Sequence, residues 1–119
     1  MSEKLYTLMD NDEYYKFVNT FDNESFTNKE IFDVRSRYIF LKYEVGVINS
    51  RNKNNDDINY LQVGDHDTLI NIYKFSDEWY MVENRSNYYR CDTFDGVDGV
   101  VIMLYKRMKE IRDRNRRYK

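Results

Sequence analysis

The sequence contains one histidine, which lies between two aspartates in the segment Asp65-His66-Asp67. Carboxylate and imidazole side chains are ligands that zinc and other divalent ions accept. Three adjacent residues in a turn cannot converge on one ion, however, and no second histidine exists to complete a site. We therefore interpret the segment as a solvated turn and expect neither a metal site nor imidazole-based acid–base catalysis there.

Three further aspartates, Asp92, Asp95 and Asp98, recur at every third residue around Gly96 and Gly99. A calcium-binding loop needs oxygen ligands at alternate positions followed by a glycine and a distant glutamate, and this spacing does not supply them. A phosphate site is also disfavoured, because three carboxylates repel an anion. The pattern instead indicates a helix start, where the aspartates satisfy backbone donors and the glycines allow close approach of helix and sheet.

Cys91 is the one cysteine of the chain and follows Arg90, whose charge would favour a reactive thiolate. On an alternating strand, however, Cys91 faces the same side as Tyr89 and the opposite side from Arg90. We therefore expect a buried, inert thiol. The remaining residues assemble no catalytic triad, phosphate-binding loop or zinc spacing, so we expect a protein that is not an enzyme and uses no cofactor.

Three runs of β-branched and aromatic residues predict a meander of strands over residues 68–75, 79–83 and 88–92. Residues 94–99 open an amphipathic segment that predicts a long C-terminal helix. The apolar stripe of this helix and the apolar face of the strands must cover each other, because neither is stable in water. The helix residues expected to face the sheet are Val97, Val101, Leu104 and Met108.

The start of the chain predicts a short edge strand over residues 4–9 and a first helix over residues 12–20. Asp10 or Asn11 is suited to cap that helix, because a short side-chain oxygen accepts a hydrogen bond from an unpaired backbone donor. The apolar side chains at helical spacing are Tyr14, Phe17, Val18 and Phe21.

The middle of the chain predicts a second helix and a hairpin. Thr27 and Glu30 have the spacing of a capping box, which marks the helix start. Strict alternation over residues 38–48 predicts a strand, the polar residues 49–57 predict a long loop, and residues 58–63 predict the returning strand. The second helix would bury Ile31, Val34 and Tyr38.

These elements predict one α+β domain over residues 1–119. We expect an antiparallel sheet of four to five strands, short N-terminal helices and a long C-terminal helix packed on one face. Apolar residues become sparse after Ile111, so residues 1–111 are expected to form the folded body and residues 112–119 a basic, frayed helix end.

Length and composition constrain the setting in which this domain works. A chain of 119 residues buries enough surface for one core, and a single cysteine forms no internal disulfide, so we expect a reducing compartment. The longest apolar run, residues 100–105, is too short to cross a membrane, and residues 1–4 lead into no signal segment. We therefore expect a cytoplasmic protein without a membrane partner.

The formal net charge of −2 conceals an asymmetry along the chain. Residues 106–119 carry eight basic and two acidic side chains and a net charge of +6. The other 11 basic and 19 acidic residues give residues 1–105 a net charge of −8. An acidic body thus precedes a basic C-terminal segment.

Residues 77–83, Asp-Glu-Trp-Tyr-Met-Val-Glu, and residues 88–96, Tyr-Tyr-Arg-Cys-Asp-Thr-Phe-Asp-Gly, resemble a pattern in small uncharacterised proteins of tailed phages. The resemblance covers about 30 residues of the C-terminal half. It implies a viral source and a compact α+β fold, and it implies no catalytic residue. The absence of proline and alanine and the abundance of tyrosine, asparagine and lysine also suit an AT-rich phage or bacterial genome.

The aromatic strands predict a surface that binds protein. Tyrosine and tryptophan are favoured at protein interfaces. Stacking of single-stranded bases is disfavoured, because the strands carry acidic residues where lysine and arginine are expected. We therefore expect a factor that binds and modulates, by inhibition, a protein of its host, in the host cytoplasm if it is viral. The candidate residues are Asp77, Glu78, Trp79, Tyr80 and Tyr88.

The basic C-terminal helix supports an alternative, nucleic-acid binding. Its positive charges would attract phosphates in a strongly salt-dependent way. A charged helix end is also explained by solvation and by the helix dipole, and the acidic body repels the same polyanion. The candidate residues are Lys106, Arg107, Lys109, Arg112, Arg114, Arg116, Arg117 and Lys119. A small enzyme of another type is the third class of function.

Overall fold

A computed structural model describes residues 5–18, 24–39, 43–52, 54–64, 70–75 and 79–117. These residues form three helices and six strands. In chain order the elements are β1 (Tyr6–Leu8), α1 (Asn11–Val18), α2 (Asn28–Ile39), β2 (Val45–Arg51), β3 (Asp57–Val63), β4 (Ile70–Phe75), β5 (Trp79–Asn84), β6 (Asn87–Cys91) and α3 (Phe94–Arg117).

The six strands form one antiparallel sheet in the order β1-β6-β5-β4-β3-β2. The predicted meander is confirmed, and it extends from β2 to β6. The α+β class is confirmed as well, but the sheet has six strands where four to five were predicted. The short edge strand predicted over residues 4–9 forms as β1 and pairs with β6. Tyr6 lies opposite Cys91 and Leu8 opposite Tyr89 in that pairing.

Backbone capping explains where the two N-terminal helices begin. The carboxylate of Asp10 accepts a hydrogen bond of 2.8 Å from the backbone N–H of Glu13, so Asp10 is the cap of α1. At α2 the Glu30 carboxylate accepts from the Thr27 N–H at 2.9 Å, and the Thr27 hydroxyl accepts from the Glu30 N–H at 3.2 Å. The predicted capping box is therefore confirmed.

The strand predicted over residues 38–48 is wrong in its position. The helix α2 continues to Ile39, because Tyr38 completes its buried stripe, and β2 begins only at Val45. The hairpin loop is also shorter than predicted, since β2 continues to Arg51 and β3 begins at Asp57. The side chain of Asn52 accepts hydrogen bonds from the backbone of residues 54 and 56 and so closes the tip.

One face of the sheet carries the main core. The side chains of Leu61, Ile72 and Val82 on adjacent strands are fully buried there. The helices α2 and α3 cover this face through apolar stripes, as predicted. The stripe of α2 is Ile31, Val34 and Tyr38, and that of α3 is Val97, Val100, Val101 and Leu104, with Met108 half-buried at its end.

The start of α3 lies unusually close to the sheet. A Cβ atom on Gly96 would collide with the carbonyl oxygen of Leu5 and lie 3.1 Å from Cβ of Cys91. A Cβ on Gly99 would lie 3.3 Å from the ring of Tyr6. The predicted close approach of helix and sheet at these glycines is confirmed, and Gly96 is required for it.

The second face of the sheet carries a smaller cluster. Met9, Phe75 and Met81 are buried there, and Tyr73, Trp79 and Tyr88 pack around them. The helix α1 lies beside this cluster, since Tyr14 stacks on Tyr88 with ring centroids 3.7 Å apart. Of the helices in the described ranges, none has the length and apolarity needed to span a bilayer.

Replacing Leu104 by alanine tests the packing of α3. Leu104 is 2% exposed, so the variant should lower the free energy of unfolding by about 2–5 kcal/mol, through lost apolar contact and a residual cavity. Arg114→Ala, at an exposed position of the same helix, should change it by less than about 0.5 kcal/mol. Urea denaturation followed by circular dichroism measures both, and equal small effects would show that a different face of α3 packs on the sheet.

Candidate functional site

An open groove of about 430 Å³ lies between α2 and the start of α3. Four aromatic side chains form much of its lining, and Val34 and four charged or polar side chains of α2 form the rest. It is a concave surface with an apolar lining and few polar groups, which is the usual form of a binding site. The lining residues are Phe26, Glu30, Phe32, Asp33, Val34, Ser36, Arg37, Tyr80 and Phe94.

The floor of the groove consists of ordered aromatic contacts. Tyr80 of β5 packs between Phe26 and Phe94, with ring centroids 6.3 Å from the first and 5.4 Å from the second. Phe26 is held in place by Asn59, which accepts a hydrogen bond from its N–H at 2.6 Å and donates one to its carbonyl at 3.2 Å. The floor is therefore formed before any ligand binds.

Phe32 stands at the mouth of the groove with 70% of its surface exposed. It follows Ile31, whose side chain faces the sheet, so helical geometry turns Phe32 toward solvent. Ile39, one residue beyond the buried Tyr38 and 68% exposed, lies seven positions later on the same side of α2. The groove is thus flanked by apolar side chains that the fold itself does not bury.

A nearly buried ion pair fixes α2 to the sheet next to the groove. The ammonium of Lys74, on β4, lies 3.0 Å from the Glu30 carboxylate, and its side chain is only 9% exposed. Burial acts to raise the pKa of Glu30, but hydrogen bonds from Thr27 and Lys74 and the charge of Lys74 outweigh it and lower that pKa overall. Glu30 is therefore a structural carboxylate in addition to lining the groove.

A second polar contact joins α2 to α3. Asp98 accepts a hydrogen bond from the Tyr38 hydroxyl at 2.8 Å and forms an ion pair with Arg37. The Arg37 guanidinium also lies 5.2 Å from the ring centroid of Phe94 and 4.0 Å from Asp95. Burial, and then the hydrogen bond to Asp98, raises the pKa of Tyr38 well above its ordinary value. Asp98, predicted to serve the helix start, instead ties two helices together.

The charges around the groove are unbalanced. Among the described groups that line the groove or pair with its lining, the four carboxylates Glu30, Asp33, Asp95 and Asp98 outnumber the two cations Lys74 and Arg37, and all but Asp33 lie within 4.0 Å of one of these cations. Asp33 is exposed, and the side chain of Asp95 is 75% exposed. The rim is therefore acidic above an aromatic floor, which suits an apolar segment that carries positive charge.

The structure separates the aromatic residues that the sequence suggested for protein binding. Trp79 and Tyr88 lie on the second face of the sheet, whereas Tyr80 lies on the first face and lines the groove. Trp79 is half-buried, stacks on Phe75 at 4.5 Å and has the Arg90 guanidinium 4.5 Å from its ring centroid. Asp77 and Glu78 lie outside the described residues.

Hydrogen-bonded side chains cross the second face. Asn71 donates to Glu83 at 3.0 Å and accepts from Gln62 at 3.3 Å, and the Tyr73 hydroxyl donates to Glu83 at 3.3 Å. Burial, and then the charge of Glu83, raises the pKa of Tyr73. These groups satisfy one another across β3, β4 and β5, so they specify strand register more than they offer free ligands.

The basic residues follow α3 beyond its packed part. Leu104 is the last buried side chain among those described, yet the helix continues to Arg117, which adds roughly 20 Å. The exposed cations among the described side chains are Lys106, Arg107, Lys109 and Arg114. Lys119 lies outside the described residues, and the side chains of Arg112, Arg116 and Arg117 are not among those described.

Among the described residues, the thiol and carboxylate side chains that the sequence suggested for chemistry do not come together in one site. Cys91 is buried on the side opposite the exposed Arg90, as predicted, and burial raises the pKa of its thiol to about 12. The segment 65–67 with His66 lies outside the described residues. Within the residues that are described, no three histidine, cysteine or acidic side chains are grouped for a metal ion.

The chain matches no protein-family model, no curated protein and no solved structure. Its functional interpretation therefore depends on its own geometry, and the groove between α2 and α3 is the surface on which that geometry is most specific.

Sequence reasoning missed this groove because Phe32 was assigned no role. The signal was available, since an aromatic residue stands on the polar side of an otherwise amphipathic helix.

Replacing Glu30 by glutamine tests the ion pair. The folded-state pKa of Glu30 is lowered, so its ionised form stabilises the fold above its ordinary pKa of about 4.5, and this stabilisation is lost as the pH falls through the lowered value. Glu30→Gln should therefore destabilise the protein at pH 7, and the difference from wild type should shrink below about pH 4.5. Urea midpoints measured across the pH range test this. A difference independent of pH would contradict the assignment.

Proposed function

We propose that this protein is a small, non-enzymatic binding protein that uses the groove between α2 and α3 to hold a segment of another protein. The exposed Phe32 at the mouth of a preformed aromatic floor carries this proposal. Singly exposed apolar residues are ordinary on protein surfaces. Here, however, Phe32 lines the groove with three further aromatic side chains, which together make an apolar surface with an acidic rim, and Ile39 is exposed two turns later on the same side of α2.

The chemistry of the groove defines the partner segment. An apolar side chain is needed to cover Phe32 and the floor, and positive charge is needed opposite Asp33 and Asp95. We propose a host protein as the owner of this segment and inhibition as the result of its capture, with the chain acting as a small viral factor in the host cytoplasm. The resemblance of residues 77–96 to tailed-phage proteins supports that setting, as does an amino-acid composition that suits an AT-rich genome.

Replacing Phe32 by aspartate tests the groove. Proteins captured from a bacterial lysate by the immobilised wild-type chain and identified by mass spectrometry should be lost or reduced at least about tenfold with this variant, because a charge replaces the central apolar contact. Tyr15→Asp is the matched control, since Tyr15 on α1 is 67% exposed against 70% for Phe32. Circular dichroism establishes that both variants fold.

Trp79→Ala distinguishes the two faces of the sheet in the same assay. It should leave capture through the groove intact, because Trp79 lies on the opposite face. Loss of capture with Trp79→Ala and retention with Phe32→Asp would place the binding surface on the second face and overturn the groove as the site.

Nucleic-acid binding through α3 is the second candidate function, and the projecting helix end favours it. The exposed cations Lys106, Arg107, Lys109 and Arg114 lie on a helix that continues past the sheet. Such a rod can approach a phosphate backbone with less repulsion from the acidic body than a cation close to the groove would meet.

Shortening the chain tests this second candidate. If α3 binds DNA, a chain ending at Ile111 should bind a fluorescent duplex more weakly. The slope of log Kd against the logarithm of the salt concentration should also fall, by about 0.9 for each lost phosphate contact. Fluorescence anisotropy at several salt concentrations measures both. Equal, weak binding by the shortened and full chains would remove residues 112–119 as a nucleic-acid site.

A further inference from the structure

We infer that the basic end of α3 (residues 106–117) of one copy docks into the groove between α2 and α3 of a second copy, so that the chain associates head to tail. This inference rests on the groove being the binding surface proposed above, and it names a partner for that surface. Both complementary surfaces belong to the same molecule. Their recognition chemistry is an apolar side chain flanked by guanidinium groups, received by aromatic rings flanked by carboxylates.

The inserting surface is one stripe of α3. Arg107, Ile111 and Arg114 are separated by four and three positions, so they lie along one side of the helix. Ile111 is 50% exposed, although the preceding apolar residues of α3 pack on the sheet. An exposed isoleucine between two arginines has the chemistry that an aromatic groove with an acidic rim receives.

The receiving surface offers the opposite chemistry. Phe32 and the aromatic floor can cover Ile111, while Asp33 is exposed on the rim and Asp95, 4.0 Å from Arg37 of its own copy, has a side chain 75% exposed that can accept a further guanidinium group. Arginine suits such contacts, because its planar group binds carboxylates in a bidentate way and stacks on aromatic rings. The net charges of −8 for residues 1–105 and +6 for residues 106–119 act in the same direction over longer distances.

The geometry excludes the same contact within one molecule. Phe94 lines the groove and is also the first residue of α3. Arg114 lies on the same continuous helix, about 30 Å away at the helical rise of about 1.5 Å per residue. Since α3 cannot bend back on itself, its basic end can reach only the groove of another copy.

A head-to-tail contact of this kind has a defined consequence. It joins two different surfaces, so each added copy presents a free groove at one end and a free helix at the other, and short open chains form. A groove filled by α3 of a second copy is closed to other proteins. Self-association would therefore regulate capture of the host segment, with capture favoured when the protein is dilute.

Two charge-reversed variants test the inference by sedimentation velocity. Asp33→Lys impairs the groove and leaves α3 intact, whereas the double variant Arg107→Glu, Arg114→Glu impairs α3 and leaves the groove intact. At about 50 mM salt the average mass of the wild-type protein should rise above the monomer mass of 14.7 kDa as the protein concentration rises. Raising the salt to about 500 mM should weaken this association at least about tenfold. Each variant alone should remain monomeric.

The mixture of the two variants gives the decisive result. One copy still has a working α3 and the other a working groove, so an equimolar mixture should form a dimer and nothing larger. Glu44→Lys and the double variant Lys106→Glu, Lys109→Glu are matched controls, because they make the same charge changes at exposed positions away from the groove and the stripe. Both controls should keep the association of the wild type.

Several outcomes would overturn the inference. They are a wild-type chain that stays monomeric at low salt, variants that associate as well as wild type, or a mixture that stays monomeric. A monomeric chain whose α3 binds a DNA duplex would assign the basic end to nucleic acid. If the protein stays monomeric but still captures a host protein through Phe32, only the self-association is refuted. If copies associate head to tail in a salt-sensitive way but no host protein is captured through Phe32, only the proposed function is refuted.

Discussion

The contact between Gly96 and the sheet determines the arrangement of the whole molecule. The backbone of Leu5 and the side chain of Cys91 leave no space for a side chain at this position, so the first turn of α3 lies directly on β1 and β6. The buried valines that follow then set the line along which the helix runs. Because α3 is one continuous helix, this line also fixes both of its ends, with Phe94 at the groove and the basic residues at the opposite end.

The groups that attach α2 are also the groups that give the groove its charge. Glu30 is held by Lys74, and Arg37 is held by Asp98, so these polar side chains stabilise the packing of α2 while they stand beside an aromatic floor. Removing one partner of such a pair leaves a poorly solvated charge, which makes the arrangement costly to alter. The carboxylate of Asp95 also lies 4.0 Å from Arg37, but its side chain is 75% exposed, and Asp33 is exposed as well.

Local signals in the sequence predicted most of the elements, and long-range packing decided the rest. The Thr27–Glu30 capping box, the Asp10 cap and the alternation that buries Cys91 are short-range patterns, and the structure confirms them. Ile39 suits a helix and a strand equally, and the sequence interpretation assigned it to a strand, while it placed Tyr38 both on the buried side of the second helix and at the start of that strand. The exposed Phe32 could be recognised from the helical pattern, but the floor of the groove could not be predicted, because Phe26, Tyr80 and Phe94 meet only after the sheet has formed.

The separation of charge along the chain follows from the rigidity of α3. A basic segment joined to an acidic body through a flexible linker would fold back and neutralise it, because closing a loop costs little free energy. A continuous helix prevents this closure and extends its basic end to roughly 20 Å beyond Leu104, the last of the described side chains to be buried. Both charged surfaces therefore remain exposed to other molecules, and the rigidity of the helix, more than the number of charges, keeps them apart.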